Sequence, residues 1–148
     1  MNKSLLEVEL SRVINTDSVG SERTRLVKAV VLTIRELAHQ NEPGEAARDM
    51  AAFISIALEK IFNTIDPTVS AWEKRGYWVK ADKFRMEWSW TCDLSTKMRE
   101  AILQNDWLEI SQISTRIAQK LGNITIPLGH RLGTPWVGAW DLFQKQRK

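Results

Sequence analysis

The segment from Glu45 to about Ile65 limits the possible folds more than any other. Ala47, Met50, Ala51, Phe53, Ile54, Ile56, Ala57, Leu58, Ile61, Phe62 and Ile65 recur at helical spacing and cover most of a helix circumference. A helix that is apolar on nearly every side must be surrounded, because any uncovered face leaves hydrocarbon in water. The segment is therefore expected at the centre of a helical bundle.

The helices that surround it are legible from the same periodicity. Ser4-Leu5-Leu6-Glu7 fits a capping box and opens a first helix whose stripe is Leu6, Leu10 and Ile14, with Leu5 and Val13 beside it. Thr16–Gly20 breaks it. A second helix runs from Ser21 or Glu22 to about Gln40, with Leu26, Val27, Val30, Val31, Ile34 and Leu37 inward. Arg23, Arg25, Lys28, Arg35 and Glu36 fill its solvated back. Asp66-Pro67 reads as an N-cap followed by proline at the first helical position. From 68 to 104 the spacing predicts a helix continuous past Gly76. It carries two apolar stripes: Trp72, Val79, Met86, Trp90 and Leu94 on one side, Tyr77, Ala81, Phe84 and Trp88 on the other. Asp93 and Lys97 form an i, i+4 support pair. Gln104-Asn105-Asp106 caps a helix over 107–121, with Ile110, Ile113, Ile117 and Leu121 inward and Gly122-Asn123 as the stop. Residues 122–134 are irregular, and Thr134-Pro135 starts a last helix over 135–145. The basic tail 144–148 is expected to fray. Five to seven helices with short connections predict an all-α, single-domain bundle over residues 1–148.

Composition narrows the class. The chain has 148 residues, 43% hydrophobic and 26% charged, which is ordinary for a globular domain. Seven glycines and four prolines are too few for a many-turned β fold. One cysteine leaves no disulfide framework and no cysteine-based zinc site. No stretch approaches 18 consecutive apolar residues, so no membrane association is expected. The first ten residues carry charge too early for a signal-peptide core, and cytoplasmic placement is the expectation.

Charge and aromatics divide the chain unevenly. Residues 1–66 hold eight Lys/Arg against ten Asp/Glu, a balance of −2. Residues 67–148 hold thirteen against eight, a balance of +5, and all seven tryptophans. Any anionic partner is expected on the second half. The densest stretch is 72–90, where aromatic and basic residues alternate. Such a composition suits nucleic acid, since aromatic faces stack on bases and cations neutralise phosphates. The competing reading places the aromatics in a core with cations at its solvated edge. Trp78 falls off both apolar stripes, on the side of Lys74 and Arg85 and flanked by Arg75 and Asp82. An exposed Trp beside Arg has the make-up of a binding hot spot, so Lys74, Arg75, Trp78 and Arg85 are the candidate contacts. Asp82 and Arg85 can also form a plain surface pair.

Other chemistry is thinner. Gly129–Thr134 places His130 and Arg131 before a helix start, a candidate anion or ligand site, although Pro135 removes one amide donor and a tight turn explains the same residues. Glu45 and Asp49 read as acids at a helix N-terminus rather than an acid–base pair. Cys92 reads as a buried inert thiol. Two histidines without His-Glu-x-x-His give no metal site, and no Walker, Rossmann, nucleophile-elbow or zinc-deaminase motif is present. No cofactor and no catalytic residue are expected. The leading expectation is a non-enzymatic interaction module, a small subunit or adaptor whose partner is a protein or a second copy. The alternative is a nucleic-acid-binding module using the 72–90 face. The third is a ligand or enzyme pocket lined by Tyr77, Trp88, His130 and Arg131.

Overall fold

Helix α2, Glu45–Asn63, sits where the periodicity puts it. The computed structural model describes residues 18–146, and the helix expected over Ser4–Ile14 lies outside them. Around α2 stand α1 (Val19–Ala38), α5 (Trp90–Leu103) and α7 (Ala139–Gln146), each packed directly on it. Helix α6 (Trp107–Lys120) packs on α5 and reaches α1. Helices α3 (Ile65–Lys74) and α4 (Trp78–Trp88) pair with each other as a hairpin. The described residues contain no strand, so the fold is all-α.

Two apolar clusters follow from this arrangement. The main one joins α1, α2, α5, α6 and α7 around fully buried Phe53, Ile54, Leu58 and Ile61. Ser55 and Ser95 let α2 and α5 approach closely. Each hydroxyl donates to the other's carbonyl, at 3.1 and 2.8 Å, so two buried polar groups are satisfied and the register of the helices is fixed. The second cluster is small: Ile65, Val69 and Ala81, edged by Trp72, Phe84 and Trp88.

The helix ends differ from expectation in instructive ways. The helix foreseen across 68–104 is broken at Gly76. There φ is +83°, Tyr77 N–H donates to the Trp72 carbonyl (2.9 Å) and Gly76 N–H to that of Glu73 (3.0 Å). This pattern ends a helix on a left-handed residue, a role that glycine fills without steric cost. The same device ends α5, with Asn105 at φ 55° in the left-handed position. At Ser89 the ladder is interrupted only slightly. Ser89 keeps helical angles, while the hydroxyls of Ser89 and Thr91 donate to the carbonyls of Met86 and Trp88.

Helix α3 begins one residue before Asp66. Thr64 ends α2 and starts α3, a single-residue corner, and Asp66 and Pro67 fall within the first turn. Asp106 caps α6 as expected, its carboxylate accepting from Glu109 N–H at 3.1 Å. The last helix starts at Ala139 rather than 135, because 135–138 form turns ending on Gly138 at φ +85°. Its cap comes from another helix: Asp49 on α2 accepts the Trp140 amide at 2.8 Å. Asp49 thus serves the dipole of α7 across the core, not only that of its own helix. The helix also extends to Gln146, into the stretch expected to fray.

Candidate functional site

The turn at Gly76 folds 72–90 back on itself and separates its two stripes. On the inner side, Ala81 is fully buried while Phe84 and Trp88 are half-buried against α3. Trp72 meets Phe84 edge-on at 5.0 Å, and Trp88 stacks beside Trp90 at 6.4 Å. These contacts use the ring quadrupoles favourably as well as removing area from water. On the outer side nothing covers the helix among the described residues. Tyr77, Trp78, Val79 and Met86 are 53, 60, 69 and 77% exposed. The first expected stripe is therefore split. Trp72 lies inside the hairpin, Leu94 is buried in the main core, and Val79 and Met86 face solvent.

Each candidate contact now has a place. Trp78 is the one exposed tryptophan of the seven. Lys74 and Arg75 close α3 and enter the turn, both exposed and outside every ion pair among the described residues. Arg85 is different, because its guanidinium grips Glu73 with a two-pronged bond at 2.8 and 3.1 Å and lies 3.6 Å from Asp82. The expected Asp82 pair forms, but Glu73 on the neighbouring helix is the main partner. The Arg85 hydrogen bond holds the Glu73 carboxyl below the usual carboxylate range, and the same bond raises Arg85. Arg85 thus ties α4 to α3; it keeps the side of α4 it shares with Trp78, seven residues away, but Glu73 engages it.

Two further lysines belong to this surface. Lys80 lies with its ammonium 4.3 Å from the Trp72 ring centroid, and Lys83 is exposed on the outer face. Neither pairs with an acid among the described residues. The first turn of α4 holds no acidic residue, so nothing there balances the positive helix end or Lys80. A hairpin read at the Gly-containing turn would have brought both lysines forward.

Arg23, expected on the solvated back of its helix, is half-buried. It donates to the hydroxyls of Thr64 and Thr68, at 3.1 and 3.2 Å, and lies over the rings of Phe84 and Trp88 at 4.8 and 5.9 Å. Burial lowers its pKa, partly offset by the charge of Glu87. It links α1 to the hairpin. Nothing in linear spacing marks this role, since Arg23 looks like its neighbours until α3 and α4 are in place.

The remaining candidates are not gathered. His130 Nδ1 accepts from Leu132 N–H at 3.1 Å, and His130 N–H donates to the Pro127 carbonyl at 3.2 Å, the bonds of a tight turn. Arg131 is exposed. One shallow concavity of about 480 Å³ runs along Gly20, Thr24, Lys28 and Leu132. A groove of about 490 Å³ lies between α1 and α6, along Ile34, Leu37, Trp107 and Ser114. Neither is lined by Tyr77, Trp88, His130 or Arg131. Cys92, expected buried, is exposed in the first turn of α5, where Thr91, Leu94 and Ser95 take the inward positions. The described residues hold no group of three or more His, Cys, Asp and Glu placed for a metal ion. None of their helices is long and apolar enough to cross a membrane.

Fold and surface together define an all-α bundle that carries a helical hairpin with one packed and one bare face. Compared with protein-family models, curated proteins and solved structures, the chain matches none.

Proposed function

We propose that the chain is a non-enzymatic helical interaction module, a small subunit or adaptor that binds a partner protein through the outer face of the α3–α4 hairpin. The observation that carries this reading is the exposure of Tyr77, Trp78, Val79 and Met86 on one short element. They are four of the nine large apolar side chains left exposed among the described residues, so the exposure is concentrated rather than scattered. Concentrated apolar surface with a rim of cations is the make-up of an interface, with Trp as its anchor. Affinity capture of the tagged chain from native lysate, with and without nuclease, tests the reading. The expected outcome is a nuclease-resistant protein at fixed stoichiometry that is lost with Trp78→Ala, while circular dichroism shows an intact fold. A sedimentation measurement on the pure chain separates a second copy from a different protein.

Nucleic acid at the same face is the second reading. It is favoured by Lys74, Arg75, Lys80 and Lys83, which lack acidic partners among the described residues. It predicts oligonucleotide binding that falls steeply with salt. Val79 and Met86 weigh against it, because aliphatic side chains at the centre of the face give bases nothing to stack on.

A further inference from the structure

The reading above leaves the chemistry of the partner open, and the charge around the bare face narrows it. Val79 and Met86 are seven residues apart on α4 and so stand in line, about 20° apart around the axis. Lys83 lies between them along the helix, about 50° to one side of the line, with Asp82 about 50° to the other; Trp78 stands at its start about 90° round, and Lys80 lies about 110° round, toward Trp72. Lys74 and Arg75 extend the cations around the turn. The acids within reach do not balance them. Arg85 offsets only one of Glu73 and Asp82, so with Glu87 two negative charges stand against the four positive charges of Lys74, Arg75, Lys80 and Lys83. An apolar line two turns long with cations beside and around it matches a helix that carries apolar residues at the same spacing and acids beside them.

Resting on that reading, we propose that the outer face of α4 receives an acidic amphipathic helix of a partner protein. The partner's apolar side chains would seat on Trp78, Val79 and Met86, with its carboxylates on Lys80, Lys83, Lys74 and Arg75. A neutral helix would bury these ammonium groups without compensation, and a basic one would repel them.

Photocrosslinking of the full chain tests the proposal. Met86→benzoylphenylalanine places the reactive ketone on the face, the tagged chain is irradiated in native lysate, and the adduct is sequenced. The expected adduct is a protein segment of net negative charge with apolar residues at helical spacing. Made as a synthetic peptide, that segment binds the full chain. Its Kd rises about tenfold with Lys80→Glu and Lys83→Glu together, since two attractions are exchanged for two repulsions. Lys74→Glu with Arg75→Glu serves as the second variant should the first unfold, because Lys80 also rests on Trp72. A neutral or basic segment, or a Kd indifferent to charge reversal in folded variants, overturns the acidic helix and leaves the interaction module standing. An adduct with nucleic acid alone, or no adduct from the folded chain, overturns both.

Discussion

Helix α2 and the α3–α4 hairpin are both rich in apolar residues, and they dispose of them in opposite ways. Along α2 the run from Met50 to Leu58 is buried without interruption, and helices lie against it on several sides. In the hairpin only Ile65, Val69 and Ala81 are buried, three aromatics are half-covered, and four large side chains face water. The first region has neighbours enough to surround a helix. The second packs chiefly on itself, with α3 touching α1 and α2 more lightly, so α4 keeps a bare side. The difference teaches that burial here is set by topology more than by hydrophobicity, for Met86 is bare while Met98 is fully buried. It also separates two kinds of constraint, one on fold stability and one on surface.

Truncation at the centre should have the largest effect. Phe53 is 1% exposed within the main cluster, and Phe53→Ala removes its contacts and leaves a cavity that the surrounding helices can only partly close. A loss of about 3–5 kcal/mol is expected. That is a large share of the roughly 5–15 kcal/mol typical of such domains. Urea unfolding followed by tryptophan fluorescence would measure it. A loss under about 1 kcal/mol would mean that α2 is not the hub.

Arg23→Ala tests whether the regions are separable. It removes two hydrogen bonds to threonine hydroxyls and the contacts with Phe84 and Trp88. The guanidinium is only half-buried, so the cost is expected at about 1–2 kcal/mol. Amide hydrogen exchange should quicken about tenfold along Ala81–Trp88 and stay unchanged in α2. Equal acceleration in both would show a single cooperative unit and break the comparison. A smaller effect, about 1 kcal/mol, is expected for Asp49→Ala, which removes the cap that α2 supplies to Trp140 N–H. Faster exchange of the first amides of α7 would register it.

The Glu73–Arg85 bond gives the hairpin a pH dependence. Its carboxyl is held below its unfolded range near pH 4.3, so the folded hairpin binds fewer protons than the unfolded one as pH falls through that range. The stabilisation is complete above about pH 4.3 and is lost as the pH drops through the lower folded value. Hairpin amide protection should therefore decline below that pH, and Glu73→Gln should flatten the decline. An unchanged profile in Glu73→Gln would assign the acid sensitivity to another carboxylate.

Much of this frame was legible and the rest was hidden for identifiable reasons. The central place of α2, the Asp106 cap and the inward stripe of α6 follow from periodicity and capping, which depend on near neighbours in sequence. The break at Gly76 is hidden because apolar spacing runs through it unchanged on both sides, and only the glycine's positive φ ends the helix. The break also conceals the Glu73 partner of Arg85, since Glu73 stands on α3 and meets α4 only across the hairpin. Arg23 and Asp49 act on elements 41 and 91 residues away. No local pattern records such contacts. Trp78 was legible because its exposure depends on its own turn of helix, before or after the chain folds back.

The smallest effect is the most telling. Trp78→Ala should change stability by less than about 0.5 kcal/mol, the ordinary range for a surface substitution. Its side chain is 60% exposed and enters no ring contact, hydrogen bond or ion pair among the described residues. The same change at Phe53 is expected to cost several times more, although tryptophan is the larger side chain. A thermal midpoint within about 2 °C of the parent chain is the expected result. A larger drop would mean that Trp78 packs within the fold, and the distinction between a covered centre and a bare hairpin would fail at the residue on which the binding surface depends. An unchanged midpoint would place Trp78 outside the packed fold, as the proposed binding surface requires.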